Sequence, residues 1–421
     1  MNKIERLLHT LAPKGVEFKT LEEVFEIRNG YTPSKNNPEF WKNGTIPWFR
    51  MEDLRENGRI LKDSIQHITP KALKGKKLFP KNSIIISTTA TIGEHALLIV
   101  DSLANQRFTF LSKKANCDIA LDMKFFFYQC FLLGEWCKNN TNVSGFASVD
   151  MTAFKKYKFP IPPLEIQQEI VTILDAFTEL NAELNAELNA RKKQYKYYQN
   201  MLLDFNDINQ SRKDAKERLA QKPYPKRLKT LLHTLAPKGV EFRKLGEVIN
   251  ILKGKQLNKE LLLDYGKYPV MNGGIYASGY WNEYNTDYPK IIISQGGASA
   301  GYVNYMTSKF WAGAHCYTIE LNSEKLNYKF LYYFLKNSQT ILMKSQFGAG
   351  IPALNKADIE TLTIPIPPLE IQQEIVTILD QFSILTTDLL AGIPAEIKAR
   401  KKQYEYYREK LLAFKPLIPN K

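Results

Sequence analysis

Cysteine is scarce: four stand in 421 residues, Cys117, Cys130, Cys137 and Cys316, with no CxxC pair and no Cys/His cluster at zinc-ligand spacing. That argues against a disulfide scaffold and a zinc centre, and predicts reduced, structural thiols. Long apolar runs are missing too. No stretch approaches the roughly 20 residues needed to span a bilayer, and the opening decapeptide MNKIERLLHT is too charged for the core of a signal peptide. A cytoplasmic chain with no membrane contact is expected. The five histidines, His9, His67, His95, His233 and His315, are scattered, which leaves no metal site to predict.

Catalytic signatures are equally thin. An amino-methyltransferase needs an NPPF- or DPPY-type motif to accept hydrogen bonds from the target amino group. Asn37-Pro38-Glu39-Phe40 has glutamate where the second proline belongs, and no convincing glycine-rich cofactor loop precedes it. Gly296 to Gly301 has the glycine spacing of a phosphate-binding loop but continues Tyr302-Val303, without the lysine and hydroxyl that hold phosphate and magnesium. No nuclease-like cluster of Asp, Glu and Lys stands out. The expectation is a chain without catalytic residues, bound metal or cofactor of its own.

What is present is hydrophobic content of 44%, enough for two or more packed domains. The net charge of +15 suits a polyanionic partner such as nucleic acid. There is also a large internal repeat, which decides the architecture. Leu7–Phe18 (LLHTLAPKGVEF) returns unchanged at Leu231–Phe242, 224 residues on, and Pro160–Asp175 (PIPPLEIQQEIVTILD) at Pro365–Asp380, 205 residues on. Arg191–Tyr195 (RKKQY) returns at Arg400–Tyr404 after 209 residues, followed each time by a tyrosine pair, Tyr197-Tyr198 and Tyr406-Tyr407. The intervening regions, roughly 19–159 and 243–364, share little obvious sequence. Two unlike heads sit on two similar stems.

The stems read as helices opened by Pro162-Pro163 and its copy. Apolar residues fall on one face at Ile166, Ile170, Ile173/Leu174, Phe177, Leu180, Leu184 and Leu188, and again at Ile371, Ile375, Ile378/Leu379, Phe382, Leu385 and Leu389. Such stripes predict an antiparallel, coiled-coil-like pair of long helices. The first stem contains three ELNA units, Glu179–Ala190, each adding one helical turn of about 6 Å. Gly392 and Pro394 predict a break in the second stem.

Each head mixes strand-like runs (SIIIS at Ser83–Ser87, ALLIV at Ala96–Val100, KIIIS at Lys290–Ser294, Cys316–Leu321) with a helix, Lys124–Lys138 or Tyr328–Lys336. The pairing of SIIIS with KIIIS predicts one shared α+β scaffold. Small polar loops between these elements can carry amides, hydroxyls and cations to base edges. The candidate DNA-binding residues are Thr32, Ser34, Lys35, Asn36, Arg50, Thr88 and Thr89 in head one, and Lys255, Asn272, Gln295 and Ser299 in head two.

The stem motifs PIPPLEIQQEIVTILD, ELNA and RKKQYxYYxxxLLxF resemble the conserved regions of Type I restriction-modification specificity (S) subunits. Gly30–Trp48 in head one resembles a target-recognition domain of that family, and Gly348–Leu354 (GAGIPAL) closes head two in a family-like way. The resemblance spans the chain in the family's order. It implies target-recognition domains at 1–160 and 223–365, with a first conserved helical spacer and linker at 161–222 and a second conserved helical region at 366–421. Each head would read half of a split, asymmetric site in double-stranded DNA. The helices would set the gap and dock two methyltransferase (M) subunits, which bring S-adenosylmethionine. Restriction/translocase (R) subunits would add ATP- and Mg-dependent translocation and cleavage. Asn181, Asn185 and Asn189 stand where family members often carry threonine. The competing readings are a fused enzyme, a purely structural coiled coil and a free-standing regulator of bipartite sites.

Overall fold

The computed structural model describes residues 3–142, 147–205, 223–347, 352–387 and 392–416. Leu389 of the expected apolar stripe and 348–351 of the GAGIPAL segment lie outside the described residues. The chain forms two compact units, Met1–Glu183 with Lys398–Lys421, and Leu184–Ile397. The first stem is one helix of 40 residues, Leu164–Leu203, and the boundary between the units falls inside its ELNA repeat.

The repeated sequences meet in space. In each unit the end of the opening block pairs antiparallel with the start of the long block: Glu17–Thr20 with Lys158–Ile161, and Glu241–Lys244 with Thr363–Ile366. Each variable head is therefore inserted between the two strands of a duplicated ribbon. An opening helix, Lys3–Leu11 or Lys226–Leu235, is pinned to the stem below by an ion pair, Lys3 to Glu169 at 2.5 Å and Arg227 to Glu374 at 3.0 Å.

Head one has a five-stranded sheet ordered Phe25–Asn29, Phe108–Lys113, Ile84–Ser87, His95–Leu98 and Ile60–Leu61. Head two repeats the first four places with Ile249–Lys253, Cys316–Leu321, Lys290–Ser294 and Val303–Met306. SIIIS and KIIIS thus occupy the same place in one scaffold, as their likeness predicts. Strand residues alternate between faces: Ile84 and Ile86 pack with the head helix and stem, whereas Ile85 packs with Phe49, Leu103 and Ala104 of a small three-stranded sheet. In head two Ile291 and Ile293 face the stem side, and Ile292 joins Met271 and Ala312 of the corresponding small sheet.

The head helices, Met123–Asn139 and Tyr328–Asn337, are bolted to the stems by one duplicated hydrogen-bond set. Gln167, wholly buried, donates to the carbonyls of Ala120 (2.9 Å) and Pro162 (2.7 Å) and accepts from the Asp122 N–H (2.8 Å). Gln372 does the same with Lys325 (2.8 Å), Pro367 (2.6 Å) and the Asn327 N–H (2.7 Å). Farther along each stem, Asp175 accepts from Lys124 Nζ (2.6 Å) and the Tyr128 hydroxyl (2.7 Å). Asp380 accepts from Lys329 Nζ (2.7 Å) and from the Tyr333 hydroxyl. Burial, then the adjacent carboxylate, pushes both tyrosine pKa values upward, so the phenols stay protonated donors.

Stem packing follows the apolar stripe. Ile166, Ile170 and Leu174 are buried in the first unit, and Ile371, Ile375 and Leu379 in the second, whereas Leu184 and Leu188 are half-buried. In the first unit Phe177 stacks on Tyr407 at 5.6 Å between ring centres, and in the second Phe382 stacks on Tyr198 at 5.2 Å. The start of the first stem thus meets the end of the second, and its end meets the second stem's beginning, which is antiparallel order. Leu385, expected on the stripe, is 44% exposed, because the second stem is not continuous. One helix runs Leu369–Thr387 and another begins at Ile393. Gly392 sits at φ 83°, where a Cβ would come within 2.6 Å of the Ile384 carbonyl oxygen, and Pro394 lies in the first turn of the new helix, where its missing N–H costs nothing.

His95 lies buried under head one, edge-on to Phe127 and Phe131, with Nδ1 3.2 Å from the Gly93 carbonyl and no partner for Nε2. Burial, reinforced by the Arg59 charge, pushes its pKa from the ordinary 6.5 down to about 3. The folded protein therefore holds it neutral while the unfolded chain protonates it below about pH 6.5, so stability falls as pH drops from there toward 3. From pH 7.5 to 5 this group should remove about 2 kcal/mol. Unfolding of the wild type and of His95→Gln across that range checks it: the variant's stability should depend less on pH, and equal slopes would count against the assignment.

Candidate nucleic-acid interface

The loops at one edge of each head are held by the same backbone hydrogen bonds. The Gly30 N–H donates to Phe108 and that of Gly254 to Cys316, both at 2.9 Å; Tyr31 donates to Ala104 and Lys255 to Ala312, both at 2.8 Å. Asn105 donates to Phe49 (3.0 Å) and Gly313 to Met271 (2.8 Å), while Thr88 donates to Arg107 (3.1 Å) and Gln295 to His315 (2.9 Å). Four stations are thereby matched. They carry Tyr31, Arg50, Thr88 and Arg107 in head one, and Lys255, Asn272, Gln295 and His315 in head two, where Arg50 and Asn272 follow the paired strand residues Phe49 and Met271. Gly30 and Gly254 permit the close crossing, since a Cβ on either would lie 2.2 Å or 2.1 Å from a carbonyl oxygen.

In head one these loops wall a cleft of about 350 Å³ lined by Thr32, Lys35, Arg50, Arg55, Gln106 and Arg107 among others. Three candidates from the sequence, Thr32, Lys35 and Arg50, are brought together there. Thr32 donates its hydroxyl to Gln106. Arg50 is placed by Asp53, a fully buried carboxylate that accepts the N–H groups of Arg50 (2.7 Å) and Ile65 (2.6 Å). The Arg50 Nε has no hydrogen-bond partner, and Glu52 stands 3.8 Å away. Lys35, Arg55 and Arg107 have no ion pair among the described residues, in contrast to Arg59, which meets Glu94 at 2.5 Å. Glu52 lines the cleft as well, so four cations, Lys35, Arg50, Arg55 and Arg107, face one carboxylate, and that surplus of positive charge is fitted to an anion.

The other candidates are placed differently. Ser34 and Asn36 are exposed on the loop beyond the cleft. Thr88 is buried, its hydroxyl 3.0 Å from that of Thr109, which donates to Asn29 at 3.0 Å, and Thr89 bridges to Ser148. In head two Lys255 lines a separate cleft of about 330 Å³ with Lys253, Asn285, Lys290 and Glu320. Asn272 accepts the His315 N–H through Oδ1 (3.2 Å), Gln295 is half-buried with an unpartnered Oε1, and Ser299 lends its carbonyl to Tyr302 at 2.9 Å. Arg55, Gln106, Arg107 and His315 were not singled out by sequence reasoning. The signal for Arg107 and His315 was their position immediately before the strands Phe108–Lys113 and Cys316–Leu321, visible once those strands are aligned.

Among the described residues no group of three or more His, Cys, Asp or Glu side chains is placed to hold a metal, and no helix is long and apolar enough to cross a membrane.

The sequence matches the family described as Type I restriction modification DNA specificity domain over residues 13–191 and 237–399. It is 40% identical over 408 residues to the Type I restriction enzyme EcoprrI specificity subunit of Escherichia coli, covering 92% of this chain and 93% of that one. It is 26% identical over 386 residues to the MjaIX specificity subunit of Methanocaldococcus jannaschii, covering 86% and 85%. The fold is similar to that of the S subunit of a Type I restriction-modification system from M. genitalium, with a TM-score of 0.53 at 20% identity over 96% of this chain and 97% of that one. It also resembles a chain from a structure concerned with complex assembly and conformational transition of the type I R-M system, with a TM-score of 0.59 at 17% identity over 94% and 96%.

Two substitutions separate contact from scaffold. Arg55→Gln should weaken binding to duplex DNA and lower the slope of log affinity against log salt by about one. Thr88→Val should cost about 1 kcal/mol of stability through the lost buried hydroxyl and leave that slope unchanged. Binding titrations across a salt series read the first, and thermal unfolding the second.

Proposed function

Because this chain belongs to the family of Type I restriction-modification DNA specificity subunits, whose members are non-catalytic, we propose that its two heads each read one half of an asymmetric, bipartite DNA site. The observation that carries this reading is the duplicated scaffold with unlike residues at matched stations: one backbone, two chemistries. We assign the target-recognition domains to 1–160 and 223–365, the first conserved helical spacer and linker to 161–222, and the second conserved helical region to 366–421. Thr32, Ser34, Lys35, Asn36, Arg50, Thr88 and Thr89 supply the DNA-facing loops of head one, with Thr88 holding the loop from within. Lys255, Asn272, Gln295 and Ser299 do so in head two.

The long helices act as the spacer and as the dock for two methyltransferase subunits. The buried Ile170, Leu174, Ile375 and Leu379, with the half-buried Phe177 and Phe382 stacked on tyrosines and continued by Leu184 and Leu188, keep the helices paired, which frees their outer faces for partners. S-adenosylmethionine, ATP and magnesium belong to the partner subunits, the last two with the restriction/translocase subunits. Cations in the clefts supply sequence-blind affinity for phosphate, and the station side chains supply discrimination, each good base contact being worth roughly 1–3 kcal/mol.

Methylome sequencing of the host with and without this chain tests the proposal. A split motif that vanishes on deletion is expected, and an unchanged methylome would refute it. Removing one ELNA unit, Glu183–Ala186, shortens the first stem by about 6 Å and turns the remainder of the helix by roughly 40°. The gap should change by one or two base pairs while both half-sites persist. A changed half-site would contradict the spacer role.

A further inference from the structure

We propose that Arg107 and His315 are specificity-determining residues, each reading a base of its own half-site together with the residue at the neighbouring station, Arg50 in head one and Asn272 in head two. The inference rests on the reading of the heads as DNA recognisers and adds to it which side chains do the reading.

Equivalence is the first support. The same backbone bond, Thr88 to Arg107 and Gln295 to His315, brings both residues to one place in the scaffold, immediately before the same sheet strand. Both are exposed, although the residues after them, Phe108 and Cys316, are buried. A duplicated reader that must tell two half-sites apart needs unlike side chains at like stations, and arginine opposite histidine meets that need.

Preorganisation is the second. The backbone N–H of Arg107 is held by Asn105 Oδ1 at 3.0 Å, and that of His315 by Asn272 Oδ1 at 3.2 Å. Neither side chain has a hydrogen bond or ion pair among the described residues. A fixed main chain carrying an unspent side chain lowers the ordering cost of a specific contact. Next to His315, Gly273 at φ 85° leaves space that a Cβ, 3.1 Å from the His315 Cβ, would crowd.

Side-chain chemistry separates the heads. Arg50 and Arg107 line one cleft, and each offers a planar fork that matches O6 and N7 of guanine in the major groove. In head two one lone pair of the Asn272 carbonyl oxygen is taken by the backbone N–H of His315, which biases its amide toward donating, and the imidazole supplies a donor or an acceptor beside it. Head one therefore calls for guanine, and head two for a purine edge that accepts at N7.

The test uses the full chain in its host, read by methylome sequencing, with Arg107→Lys, Arg107→Gln and His315→Ala each replacing the wild type. Lysine keeps the charge for phosphate but loses the fork. With either Arg107 variant, one guanine of the first half-site should become degenerate, its preference falling roughly tenfold or more, while the second half-site and the gap stay as they were. His315→Ala should relax one position of the second half-site only. An unchanged motif would overturn the proposal. So would a uniform loss of methylation with Arg107→Gln that Arg107→Lys restores, which marks a phosphate contact, or a complete loss with both, which marks a role in folding or assembly. Absence of any split motif with the wild-type chain would instead reject the functional reading on which this inference rests.

Discussion

The buried amide of Gln167, repeated at Gln372, is the constraint on which the architecture turns. Each side chain spends both ends, donating to two carbonyls and accepting one N–H, so that the first turn of the head helix, the loop before it and the start of the stem share one polar centre. Emptying such a site would strand three backbone groups, of which the buried carbonyl of Pro162 or Pro367 costs about 1–3 kcal/mol and the two part-buried ones less. Asp175 and Asp380 extend the bolt along the stem with a lysine and a protonated tyrosine. Because these ion pairs are partly exposed, solvent screens them, and their contribution is mainly directional.

Once the head helix is fixed to the stem, the sheet packed on that helix is fixed too, and with it the loops at the sheet's edge. The alternating isoleucines of SIIIS and KIIIS transmit this placement by facing the helix on one side and the small sheet on the other. Loop residues are consequently free to vary in chemistry without losing position. Arginines stand where head two has asparagine and histidine, yet the carbonyls and N–H groups beneath them are bonded alike.

Much of this organisation was legible in the chain itself. Identity of PIPPLEIQQEIVTILD with its copy announced paired stems, the ELNA units announced a regular helix, and Gly392 with Pro394 announced the interruption between Thr387 and Ile393. The heads were less legible, although Lys124, Phe125 and Tyr128 recur as Lys329, Phe330 and Tyr333 at the same spacing of 205 as the stems. Three identities within a short helix are easily lost among unrelated neighbours. Thr88 drew attention as a polar loop residue, but its hydroxyl is turned inward to Thr109, a direction that composition does not encode. Arg107 was passed over, and His315 was read only as one of five scattered histidines, because the bond that aligns them joins segments about 20 residues apart.

The sequence by itself determined the duplicated plan, the helical stems, the place of the break and the family, since each is a matter of local periodicity, local backbone chemistry or identity between copies. The tertiary structure alone decided that the chain's last helix closes the first unit, where Tyr407 meets Phe177 as Tyr198 meets Phe382 in the second. It also decided which side chains share a cleft. Both outcomes depend on contacts between residues far apart along the chain, and such contacts are selected by packing and hydrogen-bond satisfaction across the whole fold rather than by any local run of residues.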